Sequence, residues 1–329
     1  MTGDRTRPFV IVTHALPPGW VDRLVGTCEL AIGPADTSGF SRELNERLPE
    51  AQGLFTLLFD RVDERVLDRA PKLRVVSNMA VGVDNIDLPA CTRRGIPVGN
   101  TPGVLTDATA DLTMTILLAA ARRIPEAIRD AREGRWKKWE PAGWLGADLQ
   151  GSTIGIIGMG KIGRAVARRA AGFGMRILYT NIESEPDIEQ KYGAQRVDLE
   201  ILLKEADFVS LHVPLLPETR HMIDRKALQM MKKSAILVNA ARGPVVDMDA
   251  LTEALSAGWI SAAALDVTDP EPLPPEHPLF SLDNCLIVPH IGSATWGTRR
   301  KMAEIACENL LAGLRSERLP FCVNPEIYG

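Results

Sequence analysis

Cysteine is scarce in this chain: five in 329 residues (Cys28, Cys91, Cys285, Cys307, Cys322), scattered, with no CxxC pair and no zinc spacing. That leaves no disulfide framework to read and no thiolate metal site, and the five are expected to be reduced thiols of a cytoplasmic protein. Long apolar runs are also missing, so no membrane span is expected. The opening MTGDRTRPFVIVTHALPPG carries only a short apolar run, cut by His14 and two prolines, which is no signal-peptide core. Charge of one sign is not in excess. A net charge of −4 provides no basic field to draw nucleic acid or an anionic membrane. Repeats and low-complexity segments are absent as well. What is present is ordinary for globular chains, 45% hydrophobic and 24% charged residues, at a length that suits about two domains.

The most informative stretch is Gly151–Asn181, GSTIGIIGMGKIGRAVARRAAGFGMRILYTN. The apolar run Ile154–Ile157 predicts a buried parallel strand. Gly158-Met-Gly160-Lys161-Ile162-Gly163 follows, then a helical pattern, then a second apolar run, Met175–Tyr179. In this β-α-β setting the first glycine makes a tight turn, the second admits a pyrophosphate close to the backbone, and the third lets helix and strand pack. The helix start supplies free N–H groups and a positive dipole end. Dinucleotide binding is therefore expected. The second strand ends at Asn181, where an acidic residue is usual for the ribose hydroxyls. Asn181 does not repel a 2′-phosphate, yet Glu183, Glu185, Asp187 and Glu189 make the neighbourhood acidic and no Arg or Lys follows until Lys191. This favours NAD(H), with NADP(H) left open.

Before the glycine turn the pattern alternates: strands at Phe9–Thr13, Cys28–Ile32, Gly53–Leu58 and Leu73–Ser77, helices at 17–25, Ser41–Leu48 and Asp63–Ala70, the last capped by Asp63. That alternation predicts a separate parallel α/β sheet. The turn Met79–Asp87 leaves its fourth strand at the end where ligands sit in such sheets. Its N–H groups around Val81 and Gly82 suit a carboxylate, and an ordinary connecting turn fits equally well. Asn100-Thr-Pro-Gly-Val reads as a hinge, and Thr106–Ile124 as one long helix. Residues 132–150 hold Trp136, Trp139 and Trp144, which suits either local packing or an oligomer interface. Further strands are expected at Phe208–Val213, Ala235–Asn239, Ala262–Val267 and Leu286–Val288. Helices are expected at Leu251–Leu255, stopped by Gly258, and at Arg299–Leu314.

Three of these late strands each place a chemically capable residue at or just past their ends: Arg242 in AsnAlaAlaArgGly, Asp266 and Glu271 in LeuAspValThrAspProGluPro, and His290 in ProHisIleGlySer. A guanidinium grips a carboxylate with a two-pronged fork. An imidazole carries one proton near neutral pH, and a neighbouring carboxylate fixes its tautomer. Together with a nicotinamide these are the parts that reduction of a 2-oxo acid requires. Singly, Arg242 fits a surface ion pair, Glu271 a solvated loop and His290 a satisfied core histidine. His14 and His221 stand in no motif, His212 ends an apolar strand where cofactor or core would cover it, and His277 belongs to a loop.

These segments, GlyMetGlyLysIleGly, AsnAlaAlaArgGly, LeuAspVal with ProGluPro, and ProHisIleGlySer, resemble the D-isomer-specific 2-hydroxyacid dehydrogenases, in order and over nearly the whole chain. ThrAspProGluPro and HisIleGlySerAlaThr look most like the glyoxylate and hydroxypyruvate reductases of that family. The resemblance implies two doubly wound parallel-sheet domains with a cleft between them. Residues 1–100 and 291–329 would form a flavodoxin-like substrate domain, and 101–290 a Rossmann cofactor domain. It implies NAD(P)H-dependent reduction of small 2-oxo acids. Arg242 would bind the substrate, His290 would act as general acid, and Glu271 would pair with His290. Val81, Gly82 and Ser293 would contact substrate, as would Trp139 reaching into the partner site of a homodimer. The cofactor would meet Gly158, Gly160, Lys161, Ile162 and Gly163 at the glycine turn and Asn181 at the ribose. Val213, Pro214, Ala240, Ala241 and Gly292 would meet it along the strand ends, Asp266 on the nicotinamide side, and Thr109 and Thr219 along the walls. No metal is implied.

The chain departs from the pattern at Asn181. It also has Val81 where the related phosphite dehydrogenases carry a lysine, which leaves a phosphite dianion without an anchor. Rival readings are an NAD-sensing scaffold or corepressor on the same fold, and D-3-phosphoglycerate oxidation, for which the extra basic residues and added regulatory domain are missing.

Overall fold

The computed structural model describes residues 7–37 and 39–329. Two compact units form, one from the residues up to Leu105 with Thr295–Gly329, the other from Thr106–Ala294. The boundaries thus fall four or five residues beyond the expected ones.

The first unit is built on a parallel sheet of β1 (Phe9–Val12), β2 (Glu29–Ile32), β3 (Gly53–Thr56), β4 (Val75–Asn78) and β5 (Val98–Gly99), in the order β2-β1-β3-β4-β5. Alternate residues enter two cores. Ile11, Leu54, Val76 and Val98 face short helices at Arg42–Arg47, Glu64–Arg69 and Leu88–Arg93. Val10, Val12, Phe55 and Val75 face the long helix Trp296–Leu314 through Met302, Ala306, Leu310 and Leu314. Burying each of the larger side chains stabilises by about 1.5–3 kcal/mol. The approach is close: a β-carbon on Gly313 would lie 2.5 Å from Val75. The tail after this helix crosses β5 antiparallel, with Val323 N donating to Val98 O at 2.8 Å. Asn324 pins it, accepting from Val98 N and donating to Ile96 O.

One expected element is not there. Residues 17–25 form successive turns rather than a helix, because Pro17 and Pro18 lack N–H groups and Gly19 adopts φ +87°. Trp20 and Leu24 are buried all the same. The two-residue strands β5 and, in the second unit, Gln195–Arg196 are too short to show in the sequence pattern.

The second unit holds a seven-stranded parallel sheet: β6 (Thr153–Ile157), β7 (Arg176–Thr180), β8 (Gln195–Arg196), β9 (Phe208–Leu211), β10 (Ile236–Asn239), β11 (Ala262–Leu265) and β12 (Cys285–Ile287). The order β12-β11-β10-β9-β6-β7-β8 reverses direction between β6 and β9, the place where open α/β sheets receive ligands. Helices Thr106–Ala121 and Lys161–Gly172 cover one face, and Leu199–Glu205, Arg225–Met230 and Met248–Ser256 the other. The long helix expected at Thr106–Ile124 is there but stops three residues early. It ends at Ala121, Arg123 adopts φ +51°, and a second helix, Ile124–Arg132, starts with Pro125 in its first turn. No helix among the described residues is long and apolar enough to cross a membrane. The five cysteines are free thiols, and burial pushes Cys285 and Cys307 up to about 12.

Candidate active site

The glycine turn follows β6 and shows three different steric situations. Gly158 has φ +93°, and a β-carbon there would lie 2.8 Å from the His212 backbone at the end of β9. Gly163 presses on the turn, its added β-carbon falling 2.1 Å from Gly158 O. Gly160, which precedes the helix Lys161–Gly172, has nothing within 4 Å of that position. Two glycines are therefore needed for closure, and the third leaves open room at a helix start whose first N–H groups need acceptors. This cradle fits the pyrophosphate of a dinucleotide. On the first helical turn Lys161 is exposed and Ile162 half-buried, and the Val213 side chain abuts Gly158.

At the ribose end, Asn181 Oδ1 accepts from Met159 N at 3.3 Å, and its Nδ2 donates to Glu185 Oε1 at 3.3 Å. Glu185 also pairs with Arg164 at 2.5 Å, and Arg164 reaches Asp187 at 3.3 Å. Arg196 of β8 donates to Asn181 O and Ile182 O. Counting along the chain from Asn181 found no cation before Lys191. Folding brings two, Arg164 from the preceding helix and Arg196 from the next strand. Arg164 was findable, since it directly follows Gly163 on the helix that opens at the cradle.

On the other side of the reversal, β10, β11 and β12 lie side by side in parallel, so the segments leaving them share one edge. Asn239 shapes the first exit, accepting from Ala241 N (3.0 Å) and donating to Arg242 O (2.9 Å). Ala240 and Ala241 are nearly buried there, and Arg242 Nη1 donates to Ala241 O at 2.8 Å. Gly243 sits against the next exit: a β-carbon on it would meet Thr268 O at 1.9 Å. Thr268 N in turn donates to Glu271 Oε2 at 3.3 Å, and Glu271 Oε1 lies 2.5 Å from His290 Nδ1. A continuous line of contacts thus joins the Arg242 loop to Glu271 and His290. The line passes through Thr268, which the sequence reading did not single out.

His290 adopts φ +49°, a left-handed conformation that costs a residue with a β-carbon about 1–3 kcal/mol. Its N–H donates to Asp266 O at 2.9 Å. The Asp266 carboxylate accepts from Ile291 N (2.6 Å) and Gly292 N (2.9 Å). Asp266 was expected to hold the nicotinamide; in the fold each of its oxygens first holds the loop carrying His290. Burial pushes its carboxyl up, opposed by Ile291 N–H and by the nearby imidazole. Thr109 packs against Gly292 beside it.

Other expected residues have plainer places. Thr219 Oγ1 ties its own turn, accepting from Leu216 N and donating to Pro214 O. Ser293 is half-buried, and Trp139 is 81% exposed. Val81 and Gly82 lie in the first unit, in the turn after β4. His212 is half-buried with Nε2 against Ser210 Oγ at 2.8 Å, and burial of its ring pushes its pKa down to about 4, so it stays neutral. A cavity of about 550 Å³ opens where β10–β12 begin, the end of the sheet away from this chemistry. No cluster of potential metal ligands occurs among the described residues.

A carboxylate only accepts hydrogen bonds, so the Glu271 contact places a proton on His290 Nδ1 and leaves Nε2 to exchange one with a ligand. A held imidazole after β12, its carboxylate partner after β11, a guanidinium after β10 and a dinucleotide cradle on the same sheet edge are the parts of a hydride-transfer enzyme.

Comparison with known proteins agrees. Residues 114–292 match the family model described as "D-isomer specific 2-hydroxyacid dehydrogenase, NAD binding domain". The glyoxylate reductase of Thermococcus kodakarensis is 50% identical over 325 residues, 98% of this chain and 97% of that protein. The crystal structure of the TT0316 protein from Thermus thermophilus superposes with a TM-score of 0.89 at 50% identity, covering 96% of this chain and 99% of the other. An NADPH-dependent glyoxylate/hydroxypyruvate reductase from Sinorhizobium meliloti, in complex with NADP and malonate, has a TM-score of 0.84 at 30% identity, with 97% of each chain covered. The chain belongs to the D-isomer-specific 2-hydroxyacid dehydrogenases and is an NAD-binding oxidoreductase.

Proposed function

We propose that this enzyme reduces glyoxylate and hydroxypyruvate to glycolate and D-glycerate. The observation that carries the reading is the Glu271–His290 pairing, which orients an imidazole with one nitrogen left for proton exchange. The glyoxylate-reducing relatives support the choice of substrate.

In this reading Arg242 forks onto the substrate carboxylate and the carbonyl oxygen, and the N–H groups of Val81 and Gly82 take the carboxylate as well. The reduced nicotinamide, when bound, supplies the hydride to the keto carbon. His290 Nε2–H gives its proton to the oxygen, and Arg242 stabilises the charge that grows there until the proton arrives. Glu271 steadies the imidazolium and holds its ring in place. Gly158–Gly163 hold the pyrophosphate. NADH is the favoured partner: Arg164 is already paired with Glu185 and Asp187, which sets carboxylates beside the ribose end, although Arg196, held by the Asn181 and Ile182 carbonyls, brings one cation near it.

The test follows NADH or NADPH absorbance with glyoxylate, hydroxypyruvate and larger 2-oxo acids. Turnover on the order of 10 per second with the two small acids, and higher kcat/KM with NADH than with NADPH, is expected. Absence of oxidation with every acid would end the reading.

The enzyme works as a homodimer in this proposal, in the cytoplasm. The helix Ile124–Arg132 buries none of its residues, and Trp136, Trp139 and Leu145 beyond it are 65%, 81% and 66% exposed. Apolar side chains in that number on one arm suit a second copy. Sedimentation equilibrium is expected to return the mass of two chains, and replacing Trp136 and Leu145 by serine to shift it toward one.

A further inference from the structure

The turn leaving β4 divides its backbone groups unevenly. Every carbonyl from Ala80 to Val83 is held by the protein. Ala80 O accepts from Thr101 N (2.9 Å), Val81 O from Asn100 Nδ2 (2.8 Å), Gly82 O from Asn78 Nδ2 (3.0 Å) and Val83 O from Ile86 N (2.9 Å). The N–H groups of Ala80, Val81 and Gly82 donate to no protein group among the described residues. Consecutive N–H groups left over while their carbonyls are tied form a concavity for an anion.

Two of the four ties are asparagine side chains, and a third asparagine braces one of them. Asn78 ends β4 and is wholly buried. Its Oδ1 accepts from Thr56 Oγ1 at 2.9 Å, and its Nδ2 reaches Asn85 Oδ1 at 3.1 Å as well as Gly82 O. Asn85 Nδ2 donates to Leu57 O (3.1 Å) and Asp60 O (2.9 Å). The turn is thereby tied to the ends of β3, β4 and β5. Only a carboxamide offers a donor and an acceptor side by side; an aspartate would accept alone and bring a charge.

We propose that Asn78, Asn85 and Asn100 are positioning residues that hold the Ala80–Gly82 turn with its N–H groups set for the substrate carboxylate. The proposal rests on the reading above in which this turn takes that carboxylate. None of the three moves a proton. They act through the backbone of Val81 and Gly82, so their signature falls on substrate affinity.

The test uses the full chain at saturating NADH, with glyoxylate as substrate and oxamate as carboxylate inhibitor. Asn100→Ala removes one tie from an accessible side chain. It is expected to raise KM for glyoxylate and Ki for oxamate together, by about threefold to tenfold, the size of one lost hydrogen bond. The change in kcat is expected to stay below twofold and KM for NADH to hold. Asn78→Asp keeps the shape, removes the donor and adds a charge, and is expected to raise both constants further. Gly82→Pro, which deletes one N–H outright, separates the two layers of the argument. Unchanged KM and Ki in Gly82→Pro would overturn the carboxylate reading of the turn. Raised constants there with unchanged ones in Asn100→Ala would overturn the positioning proposal alone, as would a fall confined to kcat.

Discussion

His290→Ala is expected to lower turnover of glyoxylate by about 10²–10⁴-fold, the usual worth of a positioned general acid. NADH should still bind, because the glycine turn stands on β6 and draws nothing from the His290 loop. The loop itself should keep its shape, since Asp266 holds it through the N–H groups of Ile291 and Gly292 rather than through the imidazole. Alanine also leaves Glu271 without its partner, so Glu271→Gln is the useful companion. It keeps a hydrogen-bond acceptor for Nδ1–H but removes the charge that steadies the imidazolium, and a smaller loss is expected. Steady-state rates and a fluorescence titration with NADH check both. Turnover within about threefold of the native enzyme in His290→Ala would remove this histidine from the proton transfer.

Arg242→Ala is expected to cost more than any other single change, at least about 10³-fold in kcat/KM. One term is the lost donor to the developing oxyanion, about 10²–10³ in kcat for a comparable group. The other is the lost fork on the carboxylate, which appears in KM. Arg242→Lys sorts the two, because a lysine keeps the charge and not the two-pronged geometry. It is expected to recover part of kcat and little of KM. The Asn239 bonds to Ala241 N and Arg242 O do not depend on the side chain at 242, so the exit from β10 should survive both changes. A lysine variant within about fivefold of native on both constants would mean that the guanidinium does not grip the substrate.

The dinucleotide cradle was legible in the sequence because its cause is local. Whether a β-carbon fits at Gly158 or Gly163 is decided by atoms of the turn and the strand beside it. The parallel sheets were legible for a similar reason: short apolar runs spaced by helical patterns have few other ways to bury themselves. The expected helix at 17–25 was wrong where an apolar pattern outweighed Pro17-Pro18-Gly19. The extra length given to the helix at Thr106–Ile124 was wrong because side-chain periodicity does not report the left-handed turn at Arg123.

Other features depended on partners far apart along the chain. The ribose end looked free of cations until Arg164 and Arg196 were brought against Glu185 and Asn181. Asp266 was expected on the nicotinamide side, and the fold adds that its oxygens hold Ile291 and Gly292. The three asparagines were invisible as a set, since a carboxamide has no periodicity and acquires meaning from the carbonyl it meets. By itself, then, the order of residues determined the glycine turn, the two parallel sheets and the kinds of group that leave their strands. Tertiary structure alone decided which nitrogen of His290 is occupied, what Asp266 holds, and which backbone carbonyls the asparagines tie. Steric fit and burial are written over a few neighbouring residues, whereas a hydrogen bond across the fold exists only once both ends have been carried within about 3 Å of each other.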